Sequence, residues 1–345
     1  MKGVVVIEPG RFQILSDIPK PKLGPYNCTV ENIACGICNG TDPKIINGHL
    51  GGFQTYPAVL GHETIGRVVE LGTKVRNFVI GDLVLRSMLY DIGSKYYSLW
   101  GGFSEYGTVY DYKAMIEDSV GNIDPFYQTQ QIVPKDFDID LAQATMLITL
   151  KEVMSGLERL AFREGMTTMI VGCGPVGLSM VNLCRIMGAK YIVAMGHHQS
   201  RLDKAKQLGA DLVINTKTTD EQTAVINQFK QSIDLFIDAV GNNDVILLGL
   251  QVIKSDGKVG IYGIPNKNKI VLEYGEAQYN WEIKSVQWPV AHAEARVHNK
   301  ILNNVKNGRI CLSDFVTHVI SFDDFARGID LVSSREGLKV VVNIH

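Results

Sequence analysis

TTMIVGCGPVG, residues 167–177, is an apolar β-type run that ends in a G-x-G-x-x-G turn and opens a helix. In that setting the glycines have separate tasks. Gly172 permits the tight turn, Gly174 lets a pyrophosphate approach the backbone, and Gly177 lets the helix lie close to the sheet. Pro175 and Val176 start the helix, whose free N–H groups hold phosphates. Outward from this point strands and helices alternate. Strands are predicted at Thr167–Val171, Tyr191–Met195, Leu212–Asn215, Ile233–Ala239 and Lys258–Tyr262. Helices are predicted at Pro175–Met187, Ser200–Leu208, Thr219–Phe229 and Asp244–Ile253, and an earlier helical pattern runs from Leu141 to Phe162. Such alternation specifies a doubly wound parallel sheet with helices on both faces, an α/β architecture that binds a dinucleotide.

Before Asp140 the character is different. Val4–Ile7, Thr29–Ala34, Thr64–Leu71 and Leu83–Leu85 read as strands among glycines and turn signals, a mostly β domain. Residues 113–137 carry two prolines and weak periodicity, and read as a long surface excursion. The last stretch, after about residue 290, returns to mixed character. The chain has 345 residues, which at about 150 residues per domain predicts two domains. The expected division is 1–148 with 290–345 as the β-rich domain and 149–289 as the inserted nucleotide-binding domain.

Lys+Arg 34 against Asp+Glu 36 leaves a net charge of −2. This balance argues against nucleic acid or an anionic membrane as partner. No apolar run reaches the ~18 residues of a membrane helix, and MKGVVVIEPGRF does not read as a secretory signal, so a cytoplasmic protein is expected. Six cysteines, at 28, 35, 38, 173, 184 and 311, are then free thiols with one as a metal ligand. Cys35 and Cys38 form a single CxxC with no second pair, which excludes a four-cysteine structural zinc site. Cys35, Cys173 and Cys184 read as buried apolar residues.

Cys38 in ACGICNGTD and His62-Glu63 in YPAVLGHETIGRVVELG offer a thiolate, an imidazole and a carboxylate. That set makes a mononuclear zinc site with an open position, although a lone histidine in an apolar stretch is more often a core residue. The motifs GxCxxxxTD, GHE with its following glycines, GD, GGFSEY (101–106) and VGCGPVG together resemble the medium-chain, zinc-dependent alcohol and polyol dehydrogenases. DAVGNND (238–244) and GKVGIYGIP (257–265) extend the likeness over nearly the whole chain.

The resemblance implies a GroES-like catalytic domain and an inserted Rossmann domain. Cys38 and His62 match the constant zinc ligands, and Glu63 the adjacent carboxylate that ligates zinc or sits behind it. Thr41 and Asp42 match the relay hydroxyl and a carboxylate behind the ligands. The implied reaction moves a hydride from an alcohol to nicotinamide while zinc polarises the oxygen. Val240, Gly241, Tyr262 and Gly263 would border the cofactor.

Four departures from the family pattern stand out. The spacing from Cys38 to Thr41 is one residue longer than usual. Lys44 replaces the relay histidine. Residues 86–100 contain no cysteine, so the structural-zinc lobe is missing. The fourth ligand position falls on Ile148, which cannot bind metal; Glu152, one helical turn on, is the candidate replacement.

At the end of the second strand of the nucleotide domain, where an acidic residue holds the ribose of NAD, the sequence has Gly196. His197, His198 and Arg201 follow, a set suited to a 2′-phosphate. NADP is therefore expected over NAD. Lys44, Lys151 and Glu152 point to a hydroxylated substrate: a secondary alcohol, polyol or cyclitol. Alternatives are a zinc-free NADPH-dependent quinone or enone reductase, and a lapsed nucleotide-binding homologue. His292, His298 and His318 lie outside any ligand pattern. Trp100, Trp281 and Trp288 read as core or subunit contacts, with Trp100 and Trp288 in segments that border the cleft in relatives. A homodimer or homotetramer is expected, with Lys269–Leu272 as a possible edge strand.

Overall fold

A computed structural model describes residues 1–90, 92–217, 219–265, 269–272 and 277–345, and for 219–222 the backbone only. The chain divides into two compact units, Met1–Thr149 with Ala291–His345, and Leu150–Val290.

The second unit is built on a six-stranded parallel sheet. Its order is Leu212–Asn215, Tyr191–Gly196, Thr167–Val171, Ile233–Asp238, Ile253–Ile261, Trp281–Ser285. The helices Pro175–Ile186, Gln199–Gln207, Thr219–Phe229 and Asn243–Val252 connect its strands. Strands buried on both faces carry continuous apolar runs, and Met169, Val193, Phe236 and Val259 accordingly have no exposed surface. Strand order reverses between Thr167–Val171 and Ile233–Asp238. The carboxyl ends of such a pair form the crevice where open α/β sheets bind ligands. The edge strand is Trp281–Ser285, whereas Lys269–Leu272, expected as an edge, is irregular. The helical pattern from Leu141 breaks at Thr145 into Leu141–Ala144 and Met146–Arg159, where the Thr145 hydroxyl bonds the Ala142 carbonyl instead of leaving the turn continuous.

The first unit contains two sheets. In the larger, Asn27–Gly36 is flanked by Glu63–Leu71, by Tyr106–Tyr110 and by the C-terminal strand Lys339–Asn343, which also pairs with Val316–Ser321. Cys28, Val30, Val68, Val84 and Val109 turn inward on one face and form a core with Phe78. The smaller sheet runs Arg11–Leu15, Gly3–Glu8, Ala58–Val59, Tyr97–Ser98.

Residues 113–137 are more ordered than their composition predicts. They take in all but the first residue of the helix Tyr112–Glu117, a 3-10 turn at Pro125–Thr129, and the strand Ile132–Val133 paired with Leu83–Leu85. Buried Gln130 donates to the carbonyls of Arg86 and Thr108 and accepts from the Tyr110 amide. Tyr127 stacks on Tyr110 with ring centroids 4.1 Å apart. Polar side-chain bonds and ring stacking anchor the segment, and neither leaves a hydrophobic periodicity. All six cysteines are free thiols, five of them at least partly buried and Cys311 exposed. No helix among the described residues is long and apolar enough to cross a membrane.

Candidate metal centre and cofactor turn

Strand pairing brings the metal-binding side chains together. Gly36 stands opposite Glu63 in the antiparallel register. Cys38, two residues past Gly36, therefore lies beside His62, and the ligand atoms of Cys38, His62 and Glu63 all fall within 4.8 Å of one another. Gly36 leaves room for the Glu63 carboxylate: a Cβ there would sit 2.5 Å from Glu63 Oε2.

Thr41 and Asp42 open the short helix Asp42–Ile46, with Pro43 in its first turn. Asp42 is fully buried, and its Oδ2 accepts from the Cys38 amide at 2.8 Å. Its Oδ1 faces His62 Nδ1 at 3.6 Å, and neither of these atoms has a hydrogen-bond partner among the described residues. Burial pushes the Asp42 carboxyl up to about 6, against the pull of His62 and of the Cys38 amide. Burial drives the His62 pKa down, but the bond to Cys38 and the charges of Asp42, Cys38 and Glu63 outweigh it and raise the pKa to about 9. The cluster thus demands positive charge at the imidazole, a demand a divalent cation meets as well as a proton. With one sulfur, one nitrogen and one oxygen donor, the residues fit zinc.

Lys339 is the residue that sequence reasoning missed. Its Nζ lies 2.6 Å from Glu63 Oε2 and 3.4 Å from the Ile37 carbonyl, with both charged side chains almost wholly buried. Burial acts to lower the Lys339 pKa, and Glu63, Cys38 and Asp42 more than reverse it. Lys44, half-buried on the helix, has its pKa lowered by burial, with Cys38 opposing. The Trp100 ring stands 4.9 Å from the His62 ring and 5.1 Å from Phe53, giving the centre an aromatic wall. Ile148 is a fully buried core residue, and Glu152 belongs to the second unit. His298 is structural: its Nε2 bonds the Ile132 carbonyl at 2.9 Å.

In the second unit the glycine turn has the geometry its sequence implies. A Cβ on Gly177 would lie 1.7 Å from the Gly172 carbonyl oxygen, so the helix approaches the turn as only glycine allows. Gly174 caps the helix and has open space where a side chain would stand, followed by Pro175 and Val176. Asp238, buried at the end of its strand, accepts from the amides of Val240, Gly241 and Asn242, and its carbonyl accepts from Tyr262 and Gly263. One carboxylate and one carbonyl therefore bring both loops together. Burial raises the Asp238 pKa although the three amides oppose it. Gly196 ends its strand beside the turn, 3.2 Å from Cys173 Sγ at its notional Cβ. His197 and His198 lie side by side, ring centroids 4.5 Å apart. Arg201 acts on Cys173, whose thiol is pushed up to about 11 by burial against the Arg201 charge.

Residues 24–119 match the alcohol dehydrogenase GroES-like domain and residues 175–284 the zinc-binding dehydrogenase domain. The chain is 26% identical to an alcohol dehydrogenase of Cupriavidus necator, over 100% of this chain and 99% of that protein. It is 24% identical to the NADP-dependent isopropanol dehydrogenase of Thermoanaerobacter brockii, over 97% of each. The alcohol dehydrogenase from Thermus sp. ATN1 superposes with a TM-score of 0.81 at 22% identity, over 99% of each chain, and shares the fold. The chain belongs to the zinc-dependent medium-chain dehydrogenase family. Members are oxidoreductases that act on a CH–OH group of a small molecule and use zinc and a nicotinamide cofactor.

Proposed function

We propose that the chain interconverts a secondary alcohol, polyol or cyclitol with its ketone, using NADP(H) and a zinc ion held by Cys38, His62 and Glu63. The convergence of those three side chains is the observation that carries the reading. Zinc bound there supplies Lewis-acid polarisation of the substrate oxygen. Asp42 holds the Cys38 loop through its amide and places a carboxylate oxygen 3.6 Å from His62 Nδ1. Thr41 Oγ1 accepts the proton leaving the substrate hydroxyl as it gives up its own, and the half-buried Lys44, as the neutral amine, takes that proton and releases it to solvent. A nicotinamide cofactor held at the Gly172–Gly177 turn would supply the hydride acceptor, so that two-electron oxidation of the alcohol, reduction of the cofactor and release of one proton balance.

Cofactor binding is assigned to the turn Gly172–Gly177, with free amides beyond Gly174 on the pyrophosphate. Val240, Gly241, Tyr262 and Gly263 border the cofactor. Gly196 places no carboxylate at the ribose, and His197 and Arg201 face the 2′-phosphate. The isopropanol dehydrogenase relative is NADP-dependent by name, which supports the same choice. A homodimer or homotetramer belongs to the same reading.

The test joins elemental analysis of the purified protein to kcat/KM for a panel of secondary alcohols, polyols and cyclitols with both cofactors. Stoichiometric zinc with turnover on NADP is expected. Turnover without zinc overturns the metal assignment, and a tenfold preference for NAD overturns the cofactor assignment.

A further inference from the structure

Arg86 is one of the largest fully buried side chains of the first unit, and it stands outside every motif discussed above. It follows the strand Leu83–Leu85 with a left-handed backbone, φ 59°. Its Nε donates to Glu294 Oε1 at 2.9 Å and its Nη2 to Glu294 Oε2 at 3.0 Å. Its Nη1 reaches the backbone carbonyl of His62 at 3.4 Å. Its own amide donates to the Thr64 carbonyl, and its guanidinium lies 5.2 Å from the centre of the Phe126 ring. Glu294 is fully buried on the helix Ala291–Lys306.

A buried bidentate pair of this kind is a poor source of stability, because desolvation of both ions offsets their attraction and apolar replacements often do as well. A left-handed backbone at a residue with a long side chain adds a further cost. What the arrangement delivers is direction. A planar guanidinium fixed by two bonds to one carboxylate holds its other N–H groups in set directions. One of them meets the carbonyl of His62, a metal-binding residue. At the start of the strand Glu63–Leu71 the Arg86 side chain meets the His62 carbonyl and its amide the Thr64 carbonyl, so Arg86 holds the backbone on both sides of Glu63.

We propose that Arg86, held by Glu294, is a positioning residue for the metal centre: it sets the backbone that presents His62 and Glu63 to the ion. The proposal rests on the zinc reading above. Zinc affinity is to be measured by chelator competition in the full-length protein, together with the thiolate-to-metal absorption band of the cobalt-substituted form. Wild type is compared with Arg86→Met/Glu294→Gln, which removes the two charges of the clamp together. Metal affinity is expected to fall by about 10–100-fold, with a shifted cobalt spectrum and an unchanged circular dichroism spectrum. Arg86→Lys keeps the charge but not the fork, and is expected to shift the cobalt band with a smaller loss of affinity. If the double variant does not fold, Arg86→Lys alone decides, on the same two readouts. A folded variant with unchanged affinity and an unchanged cobalt spectrum overturns the clamp. A wild-type protein that binds no zinc overturns the metal reading instead, so the two failures are distinct.

Discussion

Lys339 and Glu63 form a buried ion pair of 2.6 Å across 276 positions of sequence. The pair neutralises a carboxylate that would otherwise share a dry site with Cys38 and Asp42. Removal of one partner from such a pair costs about 3–5 kcal/mol. Lys339→Met is therefore expected to lower the stability of the zinc-free protein by that order in urea denaturation. Zinc should restore more stability to the variant than to wild type, since the ion replaces the missing charge. Equal zinc stabilisation of both proteins would contradict the electrostatic account.

Cys38→Ser replaces the only thiolate of the metal group with a hydroxyl that zinc binds poorly. Elemental analysis is expected to show loss of stoichiometric zinc. A Lewis acid contributes several kcal/mol, so kcat/KM should fall by roughly a thousandfold or more. Full activity in this variant would rule out metal-assisted catalysis.

Gly196→Asp puts a carboxylate where the 2′-phosphate is assigned. Like charges at ~4 Å repel by roughly 4 kcal/mol at an effective dielectric of 20. With Cys173 Sγ only 3.2 Å from the new Cβ, some adjustment of the turn accompanies the change. The ratio of kcat/KM for NADP over NAD should drop at least tenfold, and an unchanged ratio would place the phosphate elsewhere.

Gly177→Ala is expected to abolish cofactor binding or the native fold of the second unit, because no side-chain motion relieves a Cβ 1.7 Å from a backbone oxygen. Gly174→Ala, with open space at its Cβ, should leave the fold intact and weaken binding of the cofactor alone. Thermal melts with and without NADP separate the two effects.

Asp111 supplies a pH-dependent part of the stability of the first unit. Burial acts to raise its pKa, but bonds from the amides of Arg76, Ala114 and Asn77 and from the Asn77 side chain hold it below 3.8. A depressed folded pKa means that the folded state binds fewer protons. Its stabilisation is therefore complete above the unfolded pKa and lost as the pH falls through the folded one. Asp111→Asn should cost about 1–2 kcal/mol near neutral pH and flatten the loss of stability below pH 4. A wild-type slope retained in the variant would assign that acid sensitivity to other groups.

Much of the second unit was legible because its physics is local. The turn from Gly172 to Gly177 states its own conformation, and the central strands Thr167–Val171 and Tyr191–Gly196 are contiguous and largely apolar, whereas the edge strand Trp281–Ser285, WEIKS, carries no such signal. Cys38, His62 and Glu63 were legible through their motifs. Lys339 and the Arg86–Glu294 pair were not, because their meaning lies in register. Lys339 reaches Glu63 only because its strand lies against Asn27–Gly36, with Val341 opposite Gly36. A lysine before Val-Val-Val carries no hint of that. The segment 113–137 misled for the opposite reason: its order comes from Gln130 and stacked tyrosines, which composition cannot tell from a polar loop.

The C-terminal strand Lys339–Asn343 lies inside the larger sheet of the first unit, between Val316–Ser321 and Asn27–Gly36. This position imposes an order on biosynthesis. A ribosome completes Cys38, His62 and Glu63, then the whole of Leu150–Val290, before Glu294 and Lys339 exist. At about 5–20 residues per second, the 276 positions from Glu63 to Lys339 take roughly 14–55 s. Throughout that interval Ala34–Gly36, the part of the strand that Val341–Asn343 pairs with, lacks that partner, and an open strand edge is the kind of surface that chaperones cover. Any metal delivered then meets a carboxylate without its lysine and a histidine without its clamp. The complete site thus forms only after Lys339 has been made.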